Sequence, residues 1–368
     1  MLIILQVLVF IRPFISSLAF PYLNFYYSAF LILFLITWVL TNKPYKSIRY
    51  LGLPLITFFL ALAISIIFSA NKSCSLLDLH NYLIYLLSFI AAASLSPKDR
   101  IYLVKTILIA CLIISILALY QYFFGFANLL NYITKNKILD PFAMDYISRR
   151  RVFSPFVTPN ALGGYLAMIF PLALINKNKF LFIIPISLAL ILTGSLGAIL
   201  SLFMGLIIYF NLKGKMKIKA ALPLSGLLIV ISLIFVARSI TLKQHTAPGF
   251  SALMRLDYWR ETLMIIYRNP LTGLGIGNFN FSSSRYTHNS YLQIWAEMGI
   301  LGISAYLWLI FRSLKSGFNK LKISGDKDFT IALITAVAIF LMHNLIDFTF
   351  FLPEVSTIWW VILGLIII

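Results

Sequence analysis

The chain reads as an all-α polytopic membrane protein of about twelve transmembrane helices, and three observations lead there. Hydrophobic residues make up 61% of its 368 residues and charged residues 11%, with a mean hydropathy of +0.95; soluble domains carry about a quarter charged residues. Apolar stretches approaching the roughly 20 residues that a spanning helix needs recur from end to end. The cations fall between these stretches and concentrate in alternate gaps, as membrane topology requires.

Taken in order, spans are predicted near 3–20, 24–41, 51–69, 80–96, 101–121, 161–176, 180–194, 196–211, 221–237, 290–311, 329–347 and 353–368. The opening MLIILQVLVFIRPFISSLAF lacks a basic leader region and a small-residue cleavage site, so it reads as the first span. The organisation is then N-terminal membrane helices over 1–121, a long external loop over 122–160, central helices over 161–237, a second long external loop carrying the chemistry over 238–289, and C-terminal helices over 290–368.

Charge sets the orientation. The loops near 42–50, 97–105, 177–179, 213–219 and 312–328 hold 17 of the 30 lysines and arginines. With twelve spans all five loops share one side, which the positive-inside rule makes cytoplasmic, together with both termini. Lysine dominates these loops, whereas eight of the 12 arginines lie in the two long outer loops: Arg149, Arg150, Arg151, Arg238, Arg255, Arg260, Arg268 and Arg285. Lysine suffices as an orienting point charge; arginine presents a planar fork that grips phosphate through two hydrogen bonds. Pairing with outer acids or lipid phosphates is the plainer account of any one of these arginines. The net charge of +19 does not indicate a nucleic-acid partner, which calls for a folded basic face. Cys74 falls in a short loop and Cys111 inside a span, at different depths, so neither a disulfide nor a metal site is expected.

The polar island 255–302 carries the candidate chemistry. A short helix is expected over 251–268, with Ser251 as its N-cap and Pro270 beyond its end. Arg255, Trp259, Thr262 and Ile266 share one of its faces, and such a helix could lie flat on the membrane with Arg255 aimed at a lipid headgroup. The following GLGIGN, with no strand before it, reads as a structural turn rather than a dinucleotide loop. His288, at the mouth of the next span, titrates near neutral pH and suits a base that takes a proton from a substrate hydroxyl; a capping or interface histidine is the alternative. His343 and Asp347 are spaced i, i+4 at a span end, either as functional groups or as a hydrogen-bonded pair fixing the helix end. Arg12, midway along the first predicted span, could reach a substrate phosphate or mark a span shifted from these bounds. His80 and His245 lack supporting neighbours, and Asp326-Lys327-Asp328 reads as a chance D-x-D in a lysine-rich cytoplasmic loop. No outer carboxylate cluster suggests a metal; arginine would neutralise any phosphate bound there.

Three motif stretches resemble one family. Arg255-x-x-x-Trp259, then N-P-L-x-G-x-G-x-G-N-F over 269–279 and H-N-x-Y-L-Q-x-x-x-E-x-G-x-x-G over 288–302, is similar to the signature of the O-antigen ligase and polymerase superfamily. R-V-F-S-P-F-V-T-P-N-A-L-G-G-Y-L over 151–166 resembles that family's arginine-led motif, with Ser154-Pro155 and Thr158 in place of its usual residues. H-N-L-I-D-F over 343–348, followed by Pro353, resembles its late motif. The resemblance implies a C-type glycosyltransferase-like helical fold in the bacterial inner membrane, with a periplasmic active site. It implies transfer of a glycan from undecaprenyl diphosphate to a lipid A–core hydroxyl, with no cofactor, no metal and inversion at the anomeric carbon. Arg151 and Arg255 would then hold diphosphate oxygens and His288 would act as base. Arg260, Arg285 and Asn289 would contribute to substrate binding, and Trp259, His343 and Asp347 would support the site; membrane lipids complete the partners. Ligase is favoured over polymerase because only Arg238 and Gly249 meet the polymerase Arg-x10-Gly spacing. Transfer to another lipid-linked glycan or to a protein hydroxyl, and transport of a lipid-linked glycan, are the alternatives.

Overall fold

The computed structural model describes residues 1–42, 48–136, 141–214, 250–280, 284–323 and 327–367. The predicted span 221–237, Arg238, His245, Gly249 and Asp326 lie outside the described residues. Among the described residues every regular element is helical. In chain order these are α1 (Leu2–Ile11), α2 (Pro21–Asn42), α3 (Gly52–Ile67), α4 (Lys72–Ala93), α5 (Pro97–Tyr120), α6 (Phe126–Lys135), α7 (Pro141–Ser148), α8 (Pro159–Leu174), α9 (Lys179–Thr193), α10 (Leu196–Leu212), α11 (Phe250–Arg268), α12 (Ser290–Ile323), α13 (Lys327–His343) and α14 (Pro353–Ile366).

Local chemistry sets many of these boundaries. Asn71, Ser96, Thr158 and Ser195 cap α4, α5, α8 and α10 by accepting backbone N–H bonds through their side chains, which satisfies donors that a helix start leaves open. Gly194, in the left-handed region at φ 59°, closes α9. The helix expected over 251–268 runs from Phe250, so Ser251 lies inside it and is not its cap.

Among the described residues, five helical stretches are long and apolar enough to cross a membrane: Pro21–Asn42, Arg49–Ile67, Lys72–Ala93, Pro97–Lys135 and Ser290–Lys322. Shorter apolar helices occupy the regions predicted as spans near 161–176, 180–194, 196–211 and 353–368. The predicted span 3–20 is corrected. Its α-helix stops at Ile11, and Arg12–Phe14 form a 3-10 turn where Pro13 has no N–H to continue the ladder. Arg12 is therefore at a helix end, not midway along a span.

The bundle centres on α8 and α14. Every residue of α14 is buried, and so is nearly all of α8, the pattern of helices enclosed on all sides by protein. α14 packs on α4, α13 and α12, while α8 packs on α13, α9 and α10. Trp359 and Trp360 anchor the interior with Tyr85, Phe89, Tyr306 and Phe340. The outward faces are equally greasy: Ile3, Leu33, Leu40, Ile56, Ile116, Ile191 and Phe311 are exposed. So much apolar surface on both sides of the helices is the mark of a protein whose solvent is lipid.

Arg12 turns into this interior. Its Nη2 donates to Asn24 Oδ1 at 2.8 Å and lies 3.6 Å from Glu354 Oε2, with both charged side chains fully buried. It thus joins α1, α2 and α14 rather than facing the candidate site.

Candidate active site

The site gathers where α12 begins, α13 ends and α11 packs on α12. Ser290 N–H donates to Asn344 O, and Ser290 Oγ to Asn344 Oδ1 at 2.6 Å. Asn344 Oδ1 also accepts from Phe350 N–H at 2.8 Å. These bonds tie the segment carrying His288 to the segment carrying His343, Asp347 and Phe348. The face shared by Arg255, Trp259, Thr262 and Ile266 turns into the protein: Thr262 and Ile266 are buried, and α11 packs along α12. Arg255 on that face therefore points into the protein and not at a lipid headgroup. Its Nη2 lies 4.0 Å from Asp347 Oδ2, and the aspartate is 1% exposed.

Asp347 is shared. Its Oδ1 accepts from Phe348 N–H at 2.8 Å and lies 3.9 Å from His343 Nε2. That separation is too long for the hydrogen-bonded helix-end pair considered for these residues. The His343 ring is buried against Gly164 and Gly197, where an added Cβ at 164 would overlap it.

Arg151 approaches from the segment before α8. Its Nε donates to Thr193 O at 2.8 Å and its Nη2 to Asn160 Oδ1 at 3.0 Å, with Tyr146 beneath the guanidinium. Gln121, buried at the end of α5, holds this segment by accepting from Phe153 and Ser154 N–H through Oε1. Arg151 is close enough to Arg255 to feel its charge. Burial is the main influence lowering both arginine pKa values from the ordinary value, yet guanidinium stays protonated across the physiological range. Two cations whose charges bear on one another suit a ligand with two negative charges.

His288 completes the group. Its backbone is left-handed, at φ 53°, an uncommon state for a residue other than glycine. Its ring lies against the edge of Phe348, 4.8 Å away at 89°, and parallel to Tyr258, 5.9 Å away. Burial pushes its pKa down to about 4; Arg255 acts in the same direction and Asp347 opposes it. The imidazole is thus neutral at pH 7 with a ring lone pair free to accept a proton, and the burial that keeps it neutral also weakens it as a base.

The remaining predicted residues divide. Trp259 is half-buried on the same helix, with Nε1 enclosed and unpartnered. Asn289 caps α12, its Oδ1 accepting from Tyr291 and Leu292 N–H, so its carbonyl oxygen is already engaged. Arg260 faces away, in a surface groove with Leu263, Met264, Tyr267 and Arg268. Arg285 is exposed and stacks over Tyr286. Neither joins Arg151 and Arg255. Sequence reasoning passed over Asn160, Gln121, Tyr258 and Phe348; Asn160 and Phe348 lay within the quoted motifs, whereas Gln121 and Tyr258 carried no signal.

The glycine-rich turn is structural, as its lack of a preceding strand suggested. Leu274 and Gly275 N–H donate to Ala296 and Glu297 O, both at 2.9 Å. Those carbonyls are released by a break in α12 at Gly299, where φ is 65°. Ile300 N–H in turn reaches Pro270 O at 2.9 Å, and Ser65 and Ser75 bind the loop from the α3–α4 side.

No curated protein matched the chain. A family profile described as O-antigen ligase matches residues 180–307, an interval that contains α11, the glycine turn, His288 and the first turns of α12. That match spans the motif block that builds one side of the site, and its similarity to O-antigen ligases supports the resemblance that those motifs carry.

Proposed function

We propose that the protein is a glycosyltransferase of the ligase type, moving a glycan from undecaprenyl diphosphate to a sugar hydroxyl of lipid A–core. The observation that carries this reading is the convergence of Arg151, Arg255 and a neutral His288 from three separate segments of the chain. In this reading the two arginines bind the donor diphosphate, and Asp347 holds Arg255 ready before the donor arrives. The acceptor oxygen attacks the anomeric carbon while its proton passes to the His288 ring. The bond from that carbon to the phosphate oxygen breaks, and the diphosphate departs with the electron pair, its growing charge met by arginine. Direct displacement inverts the anomeric centre. The positive-inside distribution of lysine and arginine supports an inner-membrane protein whose segments 122–160 and 238–289 face the periplasm.

The test is transfer in a purified system. The detergent-solubilised protein is mixed with an undecaprenyl-diphosphate glycan, with and without lipid A–core, and products are separated on a gel. A larger glycolipid that requires lipid A–core supports the ligase reading. Self-lengthening of the donor would replace it with polymerase activity. Binding of donor without transfer to either would favour a protein acceptor or a transporter. His288→Ala is expected to abolish turnover with donor binding retained.

A further inference from the structure

We infer that Tyr258 is a positioning residue for His288, its ring forming the wall that fixes the imidazole beside Arg255. The inference rests on the functional reading above for the role of His288, and on geometry for that of Tyr258.

A histidine base is commonly oriented by a carboxylate that hydrogen-bonds its second ring nitrogen. That device is absent among the described residues. Asp347, the acid nearest in effect, directs its oxygens to Arg255, His343 and Phe348 N–H, while His288 Nδ1 is buried with no hydrogen-bond partner. Nor does regular secondary structure hold the ring, since His288 lies in a loop with its own backbone left-handed. Its orientation therefore depends on the rings beside it.

Of these, Phe348 is itself fixed, stacked on Tyr286 at 4.2 Å and 9°. Tyr258 is different. It comes from α11, stands three residues after Arg255, and lies nearly parallel to the imidazole at an interplanar angle of 19°. Residues three apart on a helix are neighbours on its surface, so one turn of α11 carries both the donor-binding arginine and the ring that covers the base. Any displacement of that turn as a diphosphate is gripped moves the cover as well. The charged groups bearing on His288 are Asp347 and Arg255; Tyr258 is the titratable group packed on its face.

The experiment is a pH titration of the full chain in detergent, labelled at histidine Cε1 with 13C, with the His288 signal assigned by loss in His288→Gln. The wild-type midpoint is expected at about 4. Tyr258→Ala should raise it toward the ordinary histidine value, because the ring that excludes water is gone, and Tyr258→Phe should leave it in place. In the transfer assay Tyr258→Ala should lower kcat with donor KM unchanged, and Tyr258→Phe should restore it. An unmoved midpoint in Tyr258→Ala overturns the inference, and so does a Phe variant that behaves like Ala, which would assign the effect to the hydroxyl. A moved midpoint in a protein that transfers nothing would leave the positioning intact and remove the transferase reading.

Discussion

Acidification should destabilise this protein through His288 in particular. In the folded chain the imidazole is neutral down to about pH 4 because burial disfavours its charged form; in the unfolded chain it takes up a proton near pH 6.5. Between these values the unfolded state binds a proton that the native state refuses, so stability rises with pH across that window. The contribution is fully present above about pH 6.5 and gone below about pH 4, and the gap amounts to about 3 kcal/mol. Other groups titrate in the same range, so the quantity to follow is the difference between wild type and His288→Gln. Unfolding in detergent, monitored by tryptophan fluorescence at pH 7, 5.5 and 4, should show wild type losing several degrees of Tm more than the variant as pH falls. The acid limb of kcat/KM should likewise lie close to 4 rather than 6.5. A wild-type-to-variant difference that stays constant over the window would refute a buried, neutral His288.

Three further outcomes are expected. Arg255→Ala should weaken donor binding and slow transfer, by about 1.5–3 kcal/mol for a lost charge-assisted contact; unchanged affinity by isothermal titration would leave Arg255 only a structural partner of Asp347. Gly164→Ala should cost about 1–3 kcal/mol by pushing the His343 ring aside, whereas Gly52→Ala, with nothing within 4 Å of the added Cβ, should leave Tm unchanged. Arg151→Lys keeps the charge but cannot span Thr193 O and Asn160 Oδ1 together, so it should raise donor KM with the fold intact, checked by Tm.

The helices were legible because lipid-facing and core-facing surfaces are both apolar, so each membrane segment appears as a run of hydrocarbon. The short interior α14 was found as easily as the exposed α2 for the same reason. Charge distribution likewise singled out the arginines as a group. Which arginines converge was not legible. Arg260 sits five residues after Arg255, about 140° round the helix, and only tertiary packing decides which of the two faces inward. The break at Arg12-Pro13 was missed, since the predicted span 3–20 ran through Pro13, and the partner that makes burial of Arg12 tolerable is Glu354, at the other end of the chain. Tyr258 and Gln121 act through shape and a single amide, and neither leaves a pattern in composition.

The interrupted α12 bears on how this protein is made. Its carbonyls at Ala296 and Glu297 are satisfied by backbone N–H groups of the turn that precedes it. Hydrocarbon offers them no substitute. A straight helix entering the bilayer first would have to be broken afterwards, with those groups open to lipid. The turn and the start of α12 are therefore best inserted as one folded hairpin, docked on the serines of the α3–α4 junction that the ribosome has already delivered. A substitution that stiffens Gly299 would thus be felt at the translocon, as a chain that integrates poorly, before any effect on catalysis could be measured.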